Sequence, residues 1–238
     1  MDNNLLERFK VIHGEAVETM EDMVTTSVDL VLTDPPFNHD TEHYITRKVE
    51  YKKASKSLAD IAIMNQYFTA FAKQARRLVK PTGRVLLFCD PYSYPLFYFI
   101  FRPHFDHTRA LIWYKGENYY SLGTNQAFRY SYEMILHAWD NSSLFSMKQR
   151  QDVIKLKVEP SQKRLHPAQK PTELLRLLIE ATTQPDDLVL DSYAGSGSVL
   201  EACLQTGRRN ISIEANEKLI DIIGKRASLT AVQNTLLG

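Results

Sequence analysis

Asp191-Ser192-Tyr193-Ala194-Gly195-Ser196-Gly197-Ser198 is the stretch on which the reading of this chain turns. It follows an apolar run over 188–191 that reads as a strand, and it opens a helical pattern over 195–206. Gly195 and Gly197 let the backbone turn tightly and come close to a ligand. A helix N-terminus there offers unpaired N–H groups. The next strand pattern, 210–214, ends in Glu214, 23 positions after Asp191. An acidic residue about 20 positions on, at the tip of the following strand, is where nucleotide-binding sheets hold ribose hydroxyls. The glycine turn alone fits a tight strand–helix connection equally well; its pairing with Glu214 shifts the balance towards a nucleoside ligand. The turn has no Gly-Lys-Ser/Thr ending, so it is not a P-loop, and it departs from GxGxxG. A simple adenosyl cofactor therefore fits better than a dinucleotide. Asp191 is assigned to the charged amino-acid end of such a cofactor, with a strand-end cap as the plainer alternative.

Working outward, strand and helix patterns alternate. Residues 9–13, 28–33, 84–89, 108–114 and 132–138 read as strands, and 15–23 as a short helix. The run 28–33 is almost wholly apolar, as expected of a strand buried on both faces of a parallel sheet. Met64, Tyr67, Phe68, Phe71, Ala75 and Leu78 recur at helical spacing, and Pro81 and Gly83 end that helix. Pro171 opens another helix, with Leu174, Leu175, Leu177, Leu178 and Ile179 as its apolar residues; a last helix starts near 216. Such alternation predicts an open α/β sheet with helices on both faces. Residues 41–56 and 140–170 lack periodicity and read as loops or insertions, which at that length are often functional.

The 238 residues are 44% hydrophobic and 24% charged, the composition of a soluble globular protein. The length suits one large α/β domain or two small ones. Cys89 and Cys203 form no CxxC pair, which argues against a disulfide scaffold and a cysteine-based zinc site. His39 and His43 are four apart and His104 and His107 three apart, without a cluster that completes a metal site. The N-terminus lacks the basic and apolar regions of a signal peptide. The longest strongly apolar stretch, 96–101, is too short for a bilayer; a cytoplasmic location is expected. The aromatic run 92–105 and Trp113 read as core, though an apolar face in that run could support a dimer.

Net charge is +1, from 29 Lys+Arg against 28 Asp+Glu, and on average this argues against a nucleic-acid partner. The average hides polarity. Residues 41–56 carry +3 and 140–170 carry +4, leaving −6 for the rest. Either basic run alone is ordinarily a solvated surface.

Asp34-Pro35-Pro36-Phe37 lies at the carboxyl end of the strand 28–33, the edge at which open α/β sheets bind ligands. The prolines fix the backbone and remove two donors. A carboxylate, a rigid carbonyl and an aromatic face are thereby held together, a set suited to a flat heterocycle with an exocyclic amine. The alternative is a proline-rich turn with Phe37 in the core.

DPPF (34–37), HPAQKP (166–171), DSYAGSGS (191–198) and SIEAN (212–216), in this order, resemble the motifs of the beta-class, circularly permuted DNA amino-methyltransferases. WYKG (113–116) and FRYSYE (128–133) are secondary matches, and the resemblance runs from about 13 to about 226. It implies a Rossmann-like S-adenosylmethionine methyltransferase fold with a mostly parallel seven-stranded sheet, helices on both faces and a permuted motif order. One domain, 1–238, would comprise a catalytic half (about 9–138), a basic loop (41–56), a target-recognition insertion (about 140–170) and a cofactor half (171–238).

The resemblance further implies that Asp34, Pro35, Pro36 and Phe37 are catalytic. Asp191, Ser192, Tyr193, Gly195 and Gly197 would line the methionine part of S-adenosyl-L-methionine, and Glu214 its ribose. Lys170 would lie near the cofactor, and Glu15 at its adenine end. Phe37 replaces the commoner Tyr, Ser192 a Pro, Tyr193 a Phe, Ser198 a Thr and Ser212 a Gly; none of these removes a group the chemistry needs. DNA is the implied partner, its target base flipped out at a cost of a few kcal/mol and stacked on Phe37 and Tyr130. The two basic, irregular segments are then expected to face phosphates. Lys48, Lys52, Lys53, Arg129, Tyr130, Lys148, Arg150, Lys163 and Arg164 are the candidate DNA contacts, and a homodimer is compatible. Asp-Pro-Pro is the usual heading of adenine-N6 enzymes and Ser-Pro-Pro of cytosine-N4 enzymes, so adenine is the expected base. A cytosine-N4 enzyme of the same fold and a non-catalytic DNA-binding subunit are the alternatives.

Overall fold

The computed structural model describes residues 8–36, 45–46, 49–50, 58–117, 131–146, 151–158 and 169–237; for 45–46, 49–50, 58–61 and 231–237 it describes the backbone alone. Phe37, His166 and the nine candidate DNA contacts lie outside the described residues.

In chain order the elements are β1 (Phe9–His13), α1 (Ala16–Glu21), β2 (Val28–Thr33), β3 (Ile45–Thr46), β4 (Val49–Glu50), α2 (Leu58–Leu78), β5 (Val79–Cys89), α3 (Tyr94–Phe101), β6 (His107–Tyr114), β7 (Tyr132–Trp139), β8 (Val153–Lys155), α4 (Thr172–Thr182), β9 (Leu188–Asp191), α5 (Ser198–Gln205), β10 (Arg209–Glu214) and α6 (Glu217–Leu237). Among the described residues the main sheet has the order β1-β10-β9-β2-β5-β7-β6-β8. β1, β10, β9, β2 and β5 run parallel, and β7 is antiparallel to both β5 and β6.

β2 shows why the apolar run becomes a central strand. All six of its residues are buried, and from Leu30 onward, past a register shift after Val28, they alternate between two packing layers. Leu30 and Leu32, with Leu86 and Phe88 of β5, pack against α4 through Leu174, Leu175 and Leu178. Val31, with Val85 and Leu87, faces the opposite layer, where α2 supplies Phe68, Phe71 and Leu78, and α3 supplies Phe97 and Phe101. The helical stripe on α2 is thus the floor of one half of the core. Asp29 secures the lower end of β2: its carboxylate accepts from Lys80 Nζ at 2.8 Å and from the Leu188 amide at 2.9 Å, tying β2 to both neighbours.

Two expectations need correction. Among the described residues the sheet has eight strands rather than seven, because β8 lies within the supposedly irregular segment 140–170. It pairs in parallel with β6, the Ile112 amide donating to Asp152 O at 2.8 Å and the Leu156 amide to Tyr114 O at 3.1 Å. These bonds satisfy the outer edge of β6, which would otherwise present unpaired backbone groups. Segment 41–56 likewise contains the antiparallel pair β3–β4. Pairing partners, not periodicity, make such short strands, so periodicity misses them. The aromatic run 92–105 is core at Phe97, Phe101 and Phe105, whereas Tyr92 and Phe99 are exposed. Among the described residues no helix is long and apolar enough to cross a membrane.

Candidate active site

Between β9 and β2 the connections of the sheet diverge. From β9 the chain passes through α5 to β10 on one side; from β2 it passes through α2 to β5 on the other. Ligands bind outside the carboxyl ends of strands at such a switch point. Asp191 is the last residue of β9, and Asp34 directly follows the last residue of β2.

Thr33 joins the two motifs. Its hydroxyl donates to Asp191 Oδ1 at 2.8 Å and accepts from the Tyr193 amide at 3.1 Å and from Ser192 Oγ at 3.3 Å. Asp191 is only 2% exposed, and burial pushes its carboxyl up to about 7. Around the turn, Gly195 and Gly197 have φ of +54° and +80°, the left-handed region that glycine enters without a side-chain clash. Glu214 grips this turn. Its Oε2 accepts from the Gly195 amide and its Oε1 from the Asn216 amide, both at 2.8 Å. Glu15 lies at the same edge, because the Gly14 amide before it donates to Glu214 O at 3.0 Å; burial raises the Glu214 carboxyl above the ordinary range, and the charge of Glu15 adds to the rise. Tyr193 shares a hydroxyl–hydroxyl bond of 2.5 Å with Tyr67 on α2.

On the β2 side the surroundings are ionic. Lys170 Nζ donates to Asp34 Oδ2 at 2.5 Å and pairs with Glu133 Oε2 at 3.1 Å. Lys115 Nζ donates to Glu133 Oε1 at 2.5 Å. Asp34 Oδ1 is buried and makes no hydrogen bond among the described residues. Burial pushes the Asp34 carboxyl upward against the pull of Lys170, while its two carboxylates hold Lys170 protonated well above the usual lysine range. Pro35 is buried and Pro36 half-buried behind them.

The structure therefore gathers Asp34, Pro35, Pro36 and Lys170 on one side of the switch point and Asp191, Ser192, Tyr193, Gly195, Gly197 and Glu214 on the other. Lys170, expected near the cofactor, is engaged by Asp34 and Glu133. Sequence reasoning assigned no site role to Thr33, Lys115 or Glu133, and it marked Tyr67 only as part of a helical apolar stripe. Lys115 and Glu133 did carry a signal: each is a charge set in a strand pattern of large apolar and aromatic residues, within the WYKG and FRYSYE matches.

The sequence profile of the N6/N4 DNA methylases matches residues 28–225, and so spans both sides of the switch point. The chain belongs to the DNA methylase family. Among relatives, the type II methyltransferase M.HinfI of Haemophilus influenzae is 24% identical over 91% of this chain and 67% of its own length. Among solved structures, the M1.HpyAVI–SAM complex superposes with a TM-score of 0.69 at 21% identity, over 92% of this chain and 99% of that one. The PvuII DNA methyltransferase, described as cytosine-N4-specific, gives 0.67 at 18% identity over 93% of both chains. This DNA methylase thus shares its fold with structures of that class, and the fold does not distinguish the base.

Proposed function

We propose that this DNA methylase uses S-adenosyl-L-methionine to methylate the exocyclic N6 amine of adenine. The observation that supports it most strongly is the Thr33–Asp191 bond, which sets an acceptor carboxylate, Asp34, one residue from the floor of a nucleoside-type turn. The turn fits the cofactor. Asp191 is a buried carboxylate suited to a cationic amino group, a Cβ placed on Gly195 would meet nothing within 4 Å among the described residues, and Glu214 stands 2.8 Å from the Gly195 amide with acceptor capacity left for ribose hydroxyls. When bound, the cofactor supplies an electrophilic methyl group on a sulfonium.

The chain's own residues deal with the amine. Its lone pair is delocalised into the ring, which makes it a poor nucleophile. In this reading Asp34 Oδ1 accepts one amine hydrogen and the Pro35 carbonyl the other. The nitrogen is thereby held pyramidal, with its lone pair directed away from the two acceptors. Phe37 stacks on the base, a contact worth about 1–3 kcal/mol. The contribution is orientation and electrostatics, and the amine proton can leave to solvent after transfer. The candidate DNA contacts named above serve phosphates and bases in this reading.

Adenine is favoured over cytosine by the Asp at the head of the Pro-Pro motif. The test uses S-adenosylmethionine labelled in its methyl group and unmethylated DNA, digested to nucleosides and resolved by mass. N6-methyladenine is expected. N4-methylcytosine alone would reassign the base, and no labelled nucleoside at all would refute the activity.

A further inference from the structure

Four charged side chains from four segments form an alternating chain beside the acceptor carboxylate. Lys115 follows β6, Glu133 sits in β7, Lys170 precedes α4 and Asp34 follows β2. The links are Lys115–Glu133 at 2.5 Å, Glu133–Lys170 at 3.1 Å and Lys170–Asp34 at 2.5 Å. Both ammonium groups also lie over aromatic rings, Lys115 at 4.8 Å from the Trp113 centroid and Lys170 at 5.0 Å from that of Phe88. Trp113 is itself fixed by a 2.7 Å bond from its Nε1 to Leu156 O, next to β8.

Two cations and two carboxylates leave the chain of charges neutral. An apolar substitute would serve packing as well or better, since buried ion pairs are weak contributors to stability. The end of the chain has a different use. Lys170 occupies Asp34 Oδ2 and leaves Oδ1 without a described donor. A lysine ammonium carries three protons on a flexible stem, so its direction is set by its partners. Glu133 is the second partner that fixes it, and Lys115 in turn holds Glu133.

We infer that Glu133, braced by Lys115, is a positioning residue for methyl transfer: it orients Lys170 so that one face of the Asp34 carboxylate is filled and the other is presented to the substrate amine. This rests on the amino-methyltransferase reading above and assigns Lys170 to the amine side of the site, not to the cofactor. Against burial, Lys170 and Lys115 hold the Glu133 carboxyl below its ordinary range, so it is ionised at working pH. Asp34 and Glu133 are the charges acting on Lys170, with Lys115 behind Glu133; Asp191, bound to Thr33 beside Asp34, and the buried Cys89 thiol lie within electrostatic reach of Asp34.

The test compares wild type with Glu133→Gln, Glu133→Asp and Lys115→Met. Methyl transfer to unmethylated DNA is followed across pH, and S-adenosylmethionine binding is followed by calorimetry. Glu133→Gln is expected to lower kcat at least tenfold with cofactor affinity unchanged within twofold. Its alkaline limb should move to lower pH, because Lys170 loses one of the two carboxylates that keep it protonated. Glu133→Asp should restore part of the rate, and Lys115→Met should produce a smaller loss of the same kind. Lysine side-chain NMR of the wild type is a separate reading that needs no variant to fold: the Lys170 ammonium should stay protonated beyond the range of the solvated lysines. An ordinary titration of Lys170 would overturn the inference. So would a loss confined to cofactor affinity, which would return Lys170 to the cofactor side, or an unchanged kcat and pH profile in Glu133→Gln. Wild-type protein that binds the cofactor yet labels no DNA would instead bring down the methyltransferase reading itself.

Discussion

The two sides of the switch point are built on opposite principles. The turn after β9 takes its torsions from Gly195 and Gly197, and its backbone amides donate to Asp191 and Glu214 within the same half of the chain, with Thr33 of β2 as a distant anchor. The Asp34 side is held by salt bridges among residues as far apart as 34 and 170, and its backbone is a proline turn that could serve any fold. The difference shows how the labour is divided. A cofactor common to many enzymes can be met by a local motif, whereas presenting a carboxylate to one amine needs charges brought from several segments.

The comparison can be broken most decisively at Asp34. Asp34→Ala should reduce methyl transfer on the order of 10²–10³-fold, the scale for losing one positioned polar group in an active site, while calorimetry shows cofactor binding within about twofold. Loss of binding instead would mean that the two sides are not separable.

Next in size is a pH effect on the other side. The Asp191 carboxyl, raised to about 7 by burial, pairs with a cationic amino group only when ionised. S-adenosylmethionine affinity should therefore fall as pH drops below about 7, by up to about tenfold per unit for one linked proton. Asp191→Asn should weaken binding and abolish the dependence. In the ligand-free protein the sign is the reverse. A raised carboxyl contributes stability that is full below the ordinary Asp range and is lost as pH rises through about 7, so melting temperatures should report that fall in wild type and not in Asp191→Asn.

Smaller effects sharpen the picture of the turn itself. Gly197→Ala forces a side chain into a φ of +80° and sets its Cβ 3.2 Å from Ile223 on α6. Urea unfolding should show a loss of about 1–2 kcal/mol. Gly195→Ala bears the strain of a φ of +54° but meets no atom within 4 Å among the described residues, so it should retain more stability than Gly197→Ala and lose cofactor affinity instead. Tyr67→Phe removes the hydroxyl that bonds Tyr193 and keeps the ring. A loss of about 0.5–1.5 kcal/mol in the same assay, with methyl transfer nearly intact, would mark that bond as support for the turn.

Much of the fold was legible because its signals are local. β1, β2 and β9 fall on the runs read as strands, and α2 carries the apolar stripe that packs beneath β2. The eighth strand was not legible, since Val153–Lys155 forms by pairing with β6 and three residues hold no period. At the site, the glycine turn and Glu214 were readable from spacing, and Asp34 from its setting between a buried strand and two prolines. Thr33 was hidden because a threonine at a strand end is commonplace; only its neighbour Asp191 gives it a task.

By itself the sequence determined the parallel core, the nucleoside turn and the acceptor motif, because each depends on hydrophobic period or on backbone torsions that a few adjacent residues dictate. Only the tertiary structure decided what those parts face. The order β9-β2 in the sheet sets Asp191 beside Thr33, and the converging ends of β2, β6 and β7, with the residues before α4, place Lys115, Glu133, Lys170 and Asp34 in one line of contact. Electrostatic interactions depend on distance in space, and separation along the chain does not reveal it.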